Sequence, residues 1–155
     1  MKLLSILGIA VGGALITVVV LLVVKAHQSK SGEAPGLVAG HLAPCSPKPN
    51  CVCSEAGTPP DKLVAPLPLP EGQADADWQR FQQVIRDQGG ELKQVQGDYL
   101  AATFTSQLFG FVDDFEARRD VANGVIHLRS ASRVGTSDLG ANRVRVEQLR
   151  QGYTH

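Results

Sequence analysis

The chain has 155 residues, with 15 basic and 15 acidic side chains, zero formal net charge and only 5% aromatic residues. Balanced charge argues against a nucleic-acid binder, which carries a basic excess, and so few rings argue against a base-stacking platform. All nine prolines fall between Pro35 and Pro70, which leaves residues 75–151 as one small domain whose core would gain from a staple such as a disulfide.

Leu3 to Val24 carries no charge and is rich in Leu, Ile and Val. As a helix rising 1.5 Å per residue it is long enough to cross a hydrocarbon core of ~30 Å. Residues 1–26 are therefore read as an uncleaved transmembrane anchor. A cleavable signal is the alternative, but its apolar region normally runs only about 7–15 residues. A lipoprotein signal does not fit, because Cys45 follows Pro44 and lies far from the apolar run. Lys2 flanks one end of the run and Lys25 and Lys30 the other, so the positive-inside rule gives almost no orientation.

Residues 27–74 read as a linker. Gln28 to Gly40 is rich in Ser and Gly, as in a flexible tether. Leu63 to Pro70 reads as extended polyproline II lying along the domain. Between them Cys45, Cys51 and Cys53 cluster in PCSPKPNCVCSE. Three readings stay open here. In an oxidising compartment a Cys45–Cys51 disulfide would close a short loop, worth about 2 kcal/mol, and leave Cys53 over. His41 with three thiolates is the donor set of a zinc tetrahedron, although Cys51-x-Cys53 is tighter than the usual spacing. Unpaired thiols are the third.

In the domain, Asp75 to Gln88 reads as a helix capped by Asp75 or Asp77. Its apolar stripe is Trp78, Phe81, Val84 and Ile85, and Gly89-Gly90 stops it. Strands Glu91–Gln96 and Tyr99–Ser106 flank Gly97-Asp98. Pairing Gln96 with Tyr99 places Val95, Leu100, Ala102 and Phe104 on one face. Two more strands flank Asn123-Gly124, a strong hairpin signal. If Ala122 pairs with Val125, Asp114 faces Arg133 and Arg118 faces Arg129. One face then holds Phe111, Phe115, Ala117, Val121, Ile126, Leu128 and Val134. The other holds Asp114, Glu116, Arg118, His127, Arg129 and Arg133. A last helix starts near Ser137 or Asp138, turns Leu139, Val146 and Leu149 inward, and ends before Gly152. The fold class is α+β: a transmembrane helix, a Pro-rich linker, then helix, four-stranded antiparallel meander and helix.

The segments PCSPKPNCV, YLAATFTSQLFGFVDDFEARRD and RSASRVGTSDLGANRVRVEQLR together resemble the domain-of-unknown-function family 1499, over residues 42–151. The resemblance implies a paired-cysteine segment, carried here by Cys45 and Cys51, and a membrane-anchored or exported protein, commonly bacterial. It expects Ser where this chain has Cys53. It implies no established reaction, so no catalytic residue is carried over.

Two readings of the charged face compete. One is a cross-strand charge ladder on a solvated face, each pair worth under ~1 kcal/mol. The other is an anion or partner site of Glu116, Arg129, Arg133, Thr136, Ser137 and Arg143. It joins arginine forks to a helix N-terminus, although Asp138 there would repel an anion. If the face binds a partner or ligand in this way, alanine at Glu116, Arg129 and Arg133 should leave the fold largely intact but fail to complement a deletion. Asp113 is expected to pair with Arg143. Asp113 and Asp114 point to opposite faces and cannot share a proton. His127 and Ser130 are likewise separated by strand parity. The chain has no G-x-S-x-G, H-E-x-x-H, P-loop or G-x-G-x-x-G motif.

These features favour a non-enzymatic binding or structural module of the bacterial envelope. It is expected to cross the inner membrane once, with its C-terminal domain outside the cytoplasm. Expected partners are the membrane and an envelope protein or small anionic ligand, with no nucleic acid, cofactor or metal. A hydrolase or metal-dependent enzyme of unknown substrate stands as the alternative.

Overall fold

The computed structural model describes residues 2–154, with side chains from residue 11 onward. The apolar run forms helix α1 (Lys2–Ser29), which extends past the expected boundary at residue 26. Its described apolar side chains up to Val24 are mostly exposed. By length and composition, α1 contains a stretch able to cross a membrane, Val11–Ser29. The chain then forms β1 (Leu37–Val38), β2 (His41–Leu42), β3 (Cys51–Cys53) and β4 (Leu67–Pro68). Helix α2 (Ala74–Asp87), strands β5 (Glu91–Gln96), β6 (Tyr99–Thr105), β7 (Val112–Asp120) and β8 (Val125–Ser132), and helix α3 (Ala141–Thr154) complete it.

The fold is α+β, with a six-stranded antiparallel sheet rather than a four-stranded one. The meander β5-β6-β7-β8 is present, and β3 and β4 both pair with β8 at its outer edge. These two strands come from the Pro-rich stretch. Around β4 that stretch is extended, and it is hydrogen-bonded, with Leu69 N donating to Gly124 O at 2.8 Å. Edge strands tolerate proline because one side of each needs no ladder partner.

Helices α2 and α3 cover one sheet face. Trp78, Phe81 and Ile85 from α2 and Val146, Leu149 and Tyr153 from α3 pack on Leu100, Ala102, Phe115, Ala117, Ile126 and Leu128. Gly90 ends the α2–β5 turn at a close approach. A Cβ there would lie 2.6 Å from Ile85 Cγ2 and 2.7 Å from Phe104 Cζ.

Several expectations need correcting. Neither Asp75 nor Asp77 caps α2; Gln73 is the N-cap and its side chain makes no capping bond. Asp75 instead pairs with Arg119, and Asp77 with Arg80. Val95 is 47% exposed, because β5 is the outermost strand and Val95 sits near its turn. The β7–β8 register is displaced by two residues: Asp120, not Ala122, pairs with Val125. The cause is the Asp120 carboxylate, which accepts from Asn123 N at 3.1 Å and Asn123 Nδ2 at 3.0 Å and closes a four-residue turn. A two-residue shift keeps every side chain on its expected face. It also brings Glu116 directly opposite Arg129. Val121 falls in that turn and is exposed.

Helix α3 starts later and ends later than expected. Leu139 stands in the left-handed region (φ 54°) and is 98% exposed, so it does not face the core. Gly152 lies inside the helix, and Tyr153 beyond it is buried.

Cys45 and Cys51 form a disulfide with a Cα–Cα distance of 5.7 Å, and Cys53 is a buried free thiol. The disulfide takes two of the three thiolates a zinc tetrahedron would need. Loop-closure entropy for so short a loop is worth about 2 kcal/mol. Cys45→Ala with Cys51→Ala is therefore expected to lower the unfolding free energy by that amount, read from the urea midpoint. An unchanged midpoint would mean that the β-ladder alone holds β3.

Candidate functional site

The second sheet face carries the charges, and most of it is covered rather than solvated. Strand parity puts Tyr99, Ala101 and Thr103 of β6, Asp114, Glu116 and Arg118 of β7, and His127 and Arg129 of β8 on this side. The segment read as a flexible tether lies over them. Gly36 N donates to Glu116 Oε1 at 2.9 Å, and Leu42 packs with Cys53, Tyr99 and Ala101. The end of α1 is seated beside them. Ser29 Oγ accepts from Val112 N at 2.9 Å, and Ser29 O accepts from Arg133 Nη1 at 3.0 Å. Glu116 is fully buried, with Asp114 at 5% and Arg129 at 8% exposure.

Each arginine of this layer already has an acid. Arg129 Nη1 donates to Glu116 Oε2 at 2.7 Å, while Tyr99 Oη donates to Glu116 Oε1 at 2.8 Å. Arg133 forks onto Asp114, with contacts at 2.7 and 3.0 Å. Arg118 forks onto Glu55 at 2.9 and 3.2 Å and also reaches Asp120. Burial, with the Glu116 charge next, pushes the Tyr99 phenol far above its ordinary value, so it stays a donor.

Burial alone would raise the Glu55 carboxyl. Hydrogen bonds from Arg118, Leu42 N and His41 outweigh it and hold the group below its ordinary value of 4.5. Asp120 is depressed too, chiefly by its Asn123 hydrogen bond. The unfolded chain takes up protons first, so these groups stabilise the fold above about pH 4.5 and lose that effect as pH falls through their depressed values. Urea midpoints should be flat near neutrality and drop below about pH 4.5. Glu55→Gln should lower the neutral midpoint and flatten the drop. An unchanged acid slope in that variant would remove Glu55 from the account.

The six residues of the expected anion site are dispersed. Glu116 and Arg129 pair with each other, and Arg133 is held by Asp114. Arg143 donates to the carbonyls of Leu63 and Asp61 at 3.0 and 2.8 Å. Thr136 is exposed, and Ser137 Oγ accepts from Leu139 N at 3.3 Å. At the N-terminus of α3 the chain's own Asp138 accepts from Gly140 N at 3.1 Å and Asn142 N at 2.8 Å. Asp113 pairs not with Arg143 but with Arg145, at 2.7 Å. Residue 145 lies two positions further along the helix, which turns it toward the sheet.

Sequence reading missed the polar junction on the helix-covered face. Asn142 is fully buried. Its Oδ1 accepts from Ser130 Oγ and Arg145 Nη1, both at 2.6 Å, and its Nδ2 donates to Asn50 O at 3.0 Å. A signal existed: Asn142 falls on the apolar line of Val146, Leu149 and Tyr153. The nearest approach to a nucleophile and base, Ser54 Oγ and His127 Nδ1 at 3.2 Å, was also missed. Ser54 is 7% exposed and its hydroxyl already accepts from Leu128 N at 2.8 Å. Burial pushes the Cys53 thiol up, which disfavours a reactive thiolate.

Beside the charged layer lies a cleft of about 380 Å³, edged by Lys30, Glu33 and Lys93 with Thr103, Asp114 and Arg133 also lining it. A family model described as a protein of unknown function (DUF1499) matches residues 41–152. Comparison with curated proteins and with solved structures gave no match.

Proposed function

Because the chain belongs to the DUF1499 family, whose description assigns no activity, we propose from its apolar helix, its disulfide and its charged layer, with the bacterial setting taken from the family resemblance, a non-enzymatic membrane-anchored module of the bacterial envelope. It spans the inner membrane once through α1 and holds its domain outside the cytoplasm. It offers the cleft edged by Lys30, Glu33 and Lys93, the last paired with the exposed Glu91 at 2.6 Å, to an acidic segment of an envelope partner or to a small anionic ligand. The carrying observation is the charged layer itself. Its arginines are neutralised internally, and the layer holds residues 29–42 against the sheet: Arg133 donates to Ser29 O, Glu116 accepts from Gly36 N and Glu55 accepts from Leu42 N, so it joins anchor to domain. The Cys45–Cys51 disulfide supports an oxidising compartment.

Two measurements test this reading. A C-terminal alkaline phosphatase fusion should be active; an inactive fusion overturns the topology. Lys30→Glu with Lys93→Glu should keep the urea midpoint yet fail to restore the phenotype of a deletion strain. Full complementation by a stably expressed double variant would remove the cleft from the function.

A further inference from the structure

We propose that the loops of residues 106–111 and 133–140 form a second membrane contact, which seats the domain on the bilayer surface beside its own anchor. The inference rests on α1 being a membrane span.

The end of α1 leaves the domain no slack. Leu22, Ala26 and Ser29 recur at helical spacing, and Ala26 and Ser29 are 2% and 0% exposed. That face is the docked one, tied through Ser29 to Val112 and Arg133. A domain fixed to the last turn of a span lies at the membrane surface, not at the end of a free tether.

The two loops gather at that level. A largely apolar cleft of about 410 Å³ is lined by Leu22 and Lys25 of α1 together with Phe111, Val134 and Leu139; its two carboxylates, Asp113 and Asp138, are engaged by Arg145 and by the start of α3. Leu22 lies inside the uncharged run that ends at Val24. At 1.5 Å per residue it sits only a few ångströms below Lys25, the first charge beyond that run. The cleft is therefore placed where hydrocarbon gives way to headgroups.

Both loops expose apolar groups without internal partners. Leu108 is 82% exposed and Leu139 is 98% exposed. Leu139 also adopts φ 54°, a conformation that L-residues with a side chain rarely take. Internal packing gives no reason for a leucine in that position. The acyl–headgroup boundary does, since it accepts leucine while nearby Lys25 reaches the phosphates. The occupant is the lipid bilayer.

The test uses the full chain reconstituted in vesicles of phosphatidylethanolamine and phosphatidylglycerol, with and without lipid brominated in its acyl chains. Leu108→Trp, Leu139→Trp, Ile16→Trp and Val121→Trp are made separately. The native Trp78 is buried, and the unsubstituted chain supplies its baseline. Added emission from Leu108→Trp and Leu139→Trp should be largely lost when bromines lie near the headgroup end. That from Ile16→Trp should be lost with bromines deeper in the chain, and that from Val121→Trp, in the turn at the opposite end of β7, should persist. Quenching of Ile16→Trp without quenching of either loop variant would overturn the second contact and leave the anchor standing. No quenching of Ile16→Trp would overturn the anchor and the contact together. Blue-shifted but unquenched loop emission would place a protein there instead, and would equally overturn the lipid assignment.

Discussion

Glu116→Ala is expected to lower the unfolding free energy by about 3–5 kcal/mol, read from urea midpoints of the full chain in detergent. The side chain is fully buried and serves three donors: Arg129 at 2.7 Å, Tyr99 at 2.8 Å and Gly36 N at 2.9 Å. Removing it leaves a guanidinium at 8% exposure without its counter-charge. Arg129 Nε already lacks a partner, so the remaining cation has little to fall back on. A solvated cross-strand pair would cost under ~1 kcal/mol instead, which makes the magnitude itself diagnostic. Glu116→Leu combined with Arg129→Met removes both charges. It should recover most of the loss, because a buried ion pair often does no better than well-packed apolar groups. What stays missing should be about 1–3 kcal/mol for the unpaired Tyr99 and Gly36 donors. If the double variant is as damaged as the single one, the cost lies in those donors and not in the charge. If Glu116→Ala costs under ~1 kcal/mol, residues 29–42 do not cover the layer.

The separation of faces was legible from period-two alternation, and it survived an error in the register. The displacement was even, so Phe115, Ala117, Ile126 and Leu128 still meet the helices. The α2 stripe was legible for the same reason, its spacing being helical. The covering of the charged face was not legible. It depends on the backbone N–H of Gly36, 80 residues from Glu116, and a backbone donor leaves no mark in side-chain pattern. Glu55 was invisible too, because its fork to Arg118 spans 63 residues. The end of α3 was misread from Gly152, which breaks helices on average; here it lets α2 approach, since a Cβ would lie 2.9 Å from Val84 Cγ1. The charges themselves could be found. Whether they faced water depended on a segment whose composition reads as a tether.

Phe81→Ala is expected to cost about 3–5 kcal/mol, and the reason is its position between three elements. The ring is fully buried. Its centroid lies 6.4 Å from Trp78 on the same helix, 6.1 Å from Phe115 on β7 and 5.5 Å from Tyr153 on α3. The last two are edge-on contacts, which add to burial. Removal opens a cavity where α2, α3 and the sheet meet, and close-packed neighbours collapse only partly into it. Phe81→Leu, closer in volume, should cost about 1–1.5 kcal/mol. Tyr153 supplies a second readout. Its hydroxyl donates to Pro68 O at 3.1 Å, and burial, with the Asp77 charge next, raises its phenol above the ordinary value. Loosening the junction would admit water and bring that titration down toward 10, while Tyr99 on the opposite face should not move. Loss of stability with Tyr153 unmoved would mean that the cavity refills without freeing α3. A loss under ~1 kcal/mol would mean that this junction is not what closes the core.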